Sequence, residues 1–162
     1  MMLTEFVRWL GDTRASKLIA DTEWVIPAAQ SVHILAIAGL ITSMAMLDLR
    51  LIGVYGRGHS IQSLAARFIP WLWRSLIILL ATGAIMIAGE PDRELVNWVF
   101  QLKMSMLAAV LGLTVLSIRV LKGFGGAWDR GAGPPLAARL VGSVSLLLWL
   151  AILVAGRWIA YT

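Results

Sequence analysis

Residues 24–47 read WVIPAAQSVHILAIAGLITSMAML, without a single Asp, Glu, Lys or Arg. A helix crosses the roughly 30 Å hydrocarbon layer of a bilayer in about 20 residues. This stretch is therefore a membrane span, and its reading decides the fold. Working outward, Phe68 to Gly89 is a second apolar run interrupted only by Arg74. Leu95 to Ile118 is a third, interrupted only by Lys103, and Leu140 to Gly156 is a fourth that extends to about Ala160. Helices are expected over about 24–50, 68–89, 95–121 and 138–160, giving an all-α, integral membrane four-helix bundle of two helical hairpins. Composition agrees, because 59% of the 162 residues are hydrophobic and only 14% are charged. Soluble domains carry about a quarter charged residues.

The net charge of +5 does not point to nucleic acid. The basic residues flank apolar blocks instead of forming one cationic face, so they act as topology signals. Arg50, Arg57, Arg67, Arg74, Arg119, Lys122, Arg130 and Arg139 fall around the connections between spans one and two and between spans three and four. The turn between spans two and three, Glu90-Pro91-Asp92-Arg93-Glu94, is acidic. Basic loops stay in the cytoplasm. Both termini are therefore expected on the non-cytoplasmic side of the membrane. Trp24, Trp71, Trp73, Trp98, Trp158 and Tyr161 lie near span ends, where amphipathic rings sit at the membrane interface.

Residues 1–23 lack the uninterrupted apolar region and cleavage site of a signal peptide, since Glu5, Arg8, Asp12 and Arg14 punctuate them. Leu3, Phe6, Val7 and Leu10 share one helical face, with Arg8 and Asp12 on the other. That pattern predicts an amphipathic helix on the outer membrane surface, followed by a membrane domain over 24–162. Gly123 to Pro135, rich in Gly and Pro, reads as a flexible loop.

Leu64-Ala65-Ala66-Arg67 before span two resembles Leu136-Ala137-Ala138-Arg139 before span four. Leu49-Arg50-Leu51-Ile52-Gly53 likewise resembles the segment from Ile118 to Gly123. These matches suggest two hairpins in parallel repeat. The repeat places His33 and Lys103 at one depth in the outer part of the bilayer, and Arg157 reaches a similar depth from the opposite direction. Gln30 lies one turn from His33 on the same face, and Gln101 precedes Lys103 by two. Ionisable groups within a span are costly and usually face the bundle interior. His33, Lys103, Arg157, Gln30 and Gln101 thus make a candidate site for an anionic ligand on the outer side. The competing reading pairs Lys103 and Arg157 with Glu23, Glu90 or Glu94. At the inner end, Asp48 is expected to pair with Arg50, Arg74 or Arg119.

Two cofactors enter for comparison. Haem b can be held between helices by inward-facing side chains, with His33 as axial ligand and Met86, Met104 or no residue as the second. His59, in a loop, is too far from His33 to share a haem with it. Copper is suggested by Met44 with Met46 and Met104 with Met106, because thioether and imidazole suit Cu(I). Residues two apart on a helix face nearly opposite ways, so neither pair closes one site. The absence of cysteine excludes disulfides, thiolate sites and covalently attached haem. The spans hold no paired carboxylates, no nucleophile–base set and no phosphate-cradling loop, so no enzyme is expected.

The residues His33-Ile34-Leu35, Asp48-Leu49-Arg50-Leu51-Ile52-Gly53, Phe100-Gln101-Leu102-Lys103, Trp149, and Ala155-Gly156-Arg157-Trp158-Ile159-Ala160-Tyr161 carry a family resemblance over nearly the whole chain. The chain resembles a family of uncharacterised bacterial inner-membrane proteins with four helices. More distantly it is similar to the copper-resistance D type and b-type cytochrome bundles, which carry more intramembrane histidines. The resemblance implies a bacterial inner membrane. The expected role is transport or ligand binding, with a single-haem electron carrier on His33 as the alternative. Expected partners are the lipid bilayer, further copies of the chain or other membrane subunits, and an anionic ligand.

Overall fold

The structure, a computed structural model, describes the backbone of residues 2–55, 58–91, 95, 98–127 and 134–158, and their side chains except at 2, 3, 61, 99, 103, 120–122, 124–127 and 155–158. Its helices are α1 (Met2–Gly11), α2 (Arg14–Asp21), α3 (Val25–Ile52), α4 (Ile61–Gly89), α5 (Trp98–Ala127) and α6 (Leu136–Trp158). Helices α3 to α6 are each long and apolar enough to cross a bilayer. At 28 residues, α3 is about 42 Å long, ample for a tilted span. The chain is a multi-pass membrane protein.

Local sequence sets the helix ends. Gly53 stops α3 by entering the left-handed region at φ 89°, and its N–H reaches the carbonyls of Leu49 and Arg50. Val54 N–H also bonds Leu49 O at 3.0 Å, closing a Schellman-type cap that a side-chain-bearing residue would strain. Ser60 opens α4, its hydroxyl accepting from Ser63 N–H at 3.1 Å. Before α6, Pro134 and Pro135 cannot prolong a helix backwards, and Pro135 O accepts from Ala138 and Arg139 N–H.

Two sequence boundaries are corrected. Helix α5 continues through Gly123 to Ala127, where the glycine content predicts a loop. No proline intervenes, and a helix already some 25 residues long propagates through single glycines at about 1 kcal/mol each. The N-terminal segment is two helices, broken at Asp12 and Thr13. There the Thr13 hydroxyl accepts from Ser16 N–H and so caps α2. Val7 and Ser16 are buried, while Phe6 and Trp9 stack at 5.7 Å on the exposed side, consistent with the amphipathic reading.

Helix α3 organises the bundle. Ala29, His33, Ala36, Leu40, Ser43 and Leu47 are buried at alternating spacings of four and three, with Met44, Asp48 and Leu51 forming a second buried line. Two lines suit two neighbours, α4 on one side and α6 on the other. Against α4 the register is antiparallel: Gly89 meets Ile26, Thr82 meets His33, and Ser75 meets Gly39. Helix α5 packs mainly on α6 and touches α4 less closely. The interior is built on Leu40, Met44, Leu47, Leu51, Leu72, Leu76, Leu107, Val110 and Trp149. Ile34, Leu35, Ile77, Leu80, Leu116, Leu140, Leu147 and Val154 face outward, forming the apolar surface a bilayer requires.

The proposed repeat is not matched in facing. Leu64 and Ala65 are buried at the start of α4, whereas of the corresponding Leu136-Ala137-Ala138 only Ala138 is. Like sequences thus turn different faces inward.

Candidate functional site

Polar side chains enter this interior at two levels along α3, about 22 Å apart by helical rise and named outer and inner after the orientation expected from loop charge. The outer level is His33, 9% exposed, whose Nδ1 lies 2.7 Å from Thr82 Oγ1. A threonine hydroxyl has one proton. When Thr82 donates it to Ile78 O at 2.8 Å, the hydroxyl is left to accept from His33 in its Nδ1–H tautomer. The ring also packs on α4 at Gly83, where a Cβ would sit 3.6 Å from Cε1.

The other outer-level candidates distribute unevenly. Thr114 Oγ1 lies 3.6 Å from Met44 Sδ, which fixes the relative height of α5 and α3. Eleven residues back from each, the two helices reach Lys103 and His33, so the two backbone positions share a depth. The side chains of Lys103 and Arg157 lie outside the described residues, as does Glu94. Gln30, expected on the His33 face, is exposed instead. A three-residue offset turns it about 60° from His33, and the α3–α4 seam follows Ala29, His33 and Ala36. Gln101 is also exposed, with its Nε2 3.4 Å from Leu95 O, so it caps its own chain segment. Met86 is half-buried, and Met104 is 36% exposed.

The inner level is the one the sequence misreads. Asp48 is 0% exposed, and neither carboxylate oxygen has a hydrogen-bond partner among the described residues. The expected arginine pairing is overturned. Arg74 and Arg119 are exposed, and Arg50, although buried, gives the carboxylate no hydrogen bond. Arg50 sits two residues on, about 200° round the helix, so it leaves from the opposite side.

What faces Asp48 comes from the other hairpin. Gly142 brings α6 so close that a Cβ there would meet Asp48 O and Leu51 Cβ at 2.9 Å each. One turn outward on α6 stands Ser145, the side chain facing the carboxylate, at a geometry short of a hydrogen bond. A further turn brings Trp149 to the height of Met44. On α5, one turn inward from Thr114, stands Ser117 at the height of Asp48. The Ser117 and Ser145 hydroxyls and the Trp149 Nε1 are buried and, like the Asp48 oxygens, unpartnered among the described residues. Leu64, Leu72 and half-buried Phe68 close the α4 side. No sequence motif announces this set. Its signal is one carboxylate near the end of an apolar span, with single serines in the leucine-rich runs of the other hairpin.

Four apolar helices with polar groups turned inward at two depths define a multi-pass helical membrane bundle. Within that class, the chain belongs to a family of unknown function (DUF6644), whose pattern matches residues 5–162. No curated protein and no solved structure matches it.

Proposed function

We propose that this protein is a non-enzymatic membrane protein of the transport or ligand-binding kind, working as an oligomer or as one subunit of a membrane complex. The observation that supports this reading is the inner polar level, where Asp48, Ser117, Ser145 and Trp149 bring buried, unpartnered polar atoms together from three spans. Each such atom costs about 1–3 kcal/mol relative to a satisfied or apolar alternative. A scaffold has no use for that cost, whereas a passage or binding site for a polar species does. The outer level, with His33 held by Thr82 and with Lys103 and Arg157 near its depth, is a second station whose cations suit an anionic group. The protein resides in an inner membrane with both termini outside.

The chain has no native cysteine, so single cysteines can be read directly. Ser117→Cys and Ser145→Cys should react in membranes with a small hydrophilic thiol reagent, whereas Leu147→Cys, facing lipid, should not. If neither interior cysteine reacts, the level is closed to the aqueous phase and the transport reading falls. The purified protein should show no Soret band; a band abolished by His33→Ala would replace this reading with the single-haem carrier.

A further inference from the structure

We propose that the Asp48 level binds a small monovalent cation, a proton or a sodium ion, between α3, α5 and α6. This rests on the reading of the interior as a working polar site and names the species it takes. The argument starts from charge. A carboxylate removed from water costs several kcal/mol unless its charge is compensated. The cationic side chains described on the surrounding elements do not compensate it; that of Lys122 on α5 lies outside the described residues, and Arg74 on α4 is exposed. Arg67 on α4 is exposed with its guanidinium 5.9 Å from the Phe68 ring, Arg119 on α5 and Arg139 on α6 are exposed, and Arg50 on α3 does not donate to it. The neutralising species must therefore come from outside the described side chains.

Its chemistry is narrow. The facing group is the Ser145 hydroxyl, with the buried Ser117 hydroxyl at the same height on α5, both oxygen donors of the type hard cations and protonated carboxyls use. A divalent ion wants several carboxylates, and among the described residues no group of three acidic, His or Cys side chains exists. An organic cation needs room, yet a single added methyl at Gly142 already meets backbone at 2.9 Å. The Trp149 Nε1–H, a donor only, suits the oxygen of a water in the cation's shell and not the cation itself.

The test uses the full chain in lipid nanodiscs. Sodium chloride is exchanged for choline chloride at constant ionic strength while thermal unfolding is followed, and infrared spectra are recorded across pH. For a sodium site, the wild-type melting temperature climbs with the logarithm of sodium concentration, and Asp48→Asn loses the dependence. For a proton site, sodium has no effect, and the wild type shows a protonated-carboxyl stretch that Asp48→Asn removes. Absence of both signals overturns the proposal. Should Asp48→Asn not fold, Ser145→Ala decides: a sodium midpoint weakened at least tenfold, or a shifted carboxyl band, supports the site, and no change in either overturns it. A cation signal without thiol access at Ser117 or Ser145 keeps the site but removes the transport reading, so the two failures are distinct.

Discussion

Gly142→Ala is the sharpest probe of how the bundle closes over Asp48. The added Cβ would lie 2.9 Å from the Asp48 carbonyl oxygen, 2.9 Å from Leu51 Cβ and 3.3 Å from Ile52 Cγ1. The carbonyl belongs to a helix backbone and cannot rotate aside. Comfortable carbon contacts begin near 3.5 Å, so α6 must withdraw by about 0.5 Å. A gap of that size forfeits roughly a quarter or more of each contact's ~0.1–0.2 kcal/mol. Over on the order of 40 atom pairs, what one buried leucine makes, the seam loses about 2 kcal/mol. Alanine returns up to about 1 kcal/mol through its helix propensity. The expected net destabilisation is about 1 kcal/mol for Gly142→Ala and more for Gly142→Leu. Gly112→Ala is the control, because nothing lies within 4 Å of its added methyl, and it should be neutral or stabilising. Unfolding in mixed micelles titrated with sodium dodecyl sulfate, followed by tryptophan fluorescence, gives both numbers. If Gly142→Ala is as stable as the parent, or Gly112→Ala loses as much, the close α3–α6 approach is wrong.

Gly39→Leu should destabilise by about 1–3 kcal/mol through overpacking, because a Cβ there meets Ser75 Oγ at 2.6 Å. Ser75→Gly in the same chain should recover part of the loss, and an unchanged melting curve for Gly39→Leu would move the α3–α4 seam elsewhere. Thr82→Val and His33→Phe should couple by about 0.6–1.7 kcal/mol in a double-mutant cycle; zero coupling would remove the His33–Thr82 hydrogen bond. For sidedness, cysteines at Arg57 and Arg130 should resist an impermeant thiol reagent in intact cells while one at Asp92 reacts. Labelling at Arg57 with protection at Asp92 inverts the topology.

The four spans were legible because a bilayer demands long uncharged runs, and few other environments produce them. On α3 the placement of His33 toward the interior was legible, and the seam that holds it runs at alternating spacings of three and four through Ala29 and Ala36. Gln30 shows the limit of that reasoning. A residue 60° from a seam can belong to either side, and only the width of the α4 contact decides. Asp48 failed for a different reason. Arginines near it in sequence suggested partners, but a helix turns 100° per residue, and the side chain that faces it, Ser145, stands 97 positions later. Ser117 and Ser145 are unremarkable residues in leucine-rich runs until the second hairpin is folded against the first.

That division has a consequence for how the chain is made. The His33–Thr82 bond lies within α3 and α4, so the histidine's Nδ1 gains its partner as soon as the first hairpin inserts. Asp48 must wait, because its enclosure by Gly142 and Ser145 is completed only when α6 follows α3 to α5 out of the ribosome. Until then a carboxyl group stands against lipid or against the insertion machinery. Nascent chains halted before α6 are thus the forms a quality-control protease can tell from the finished protein, and Asp48 is the mark it would read.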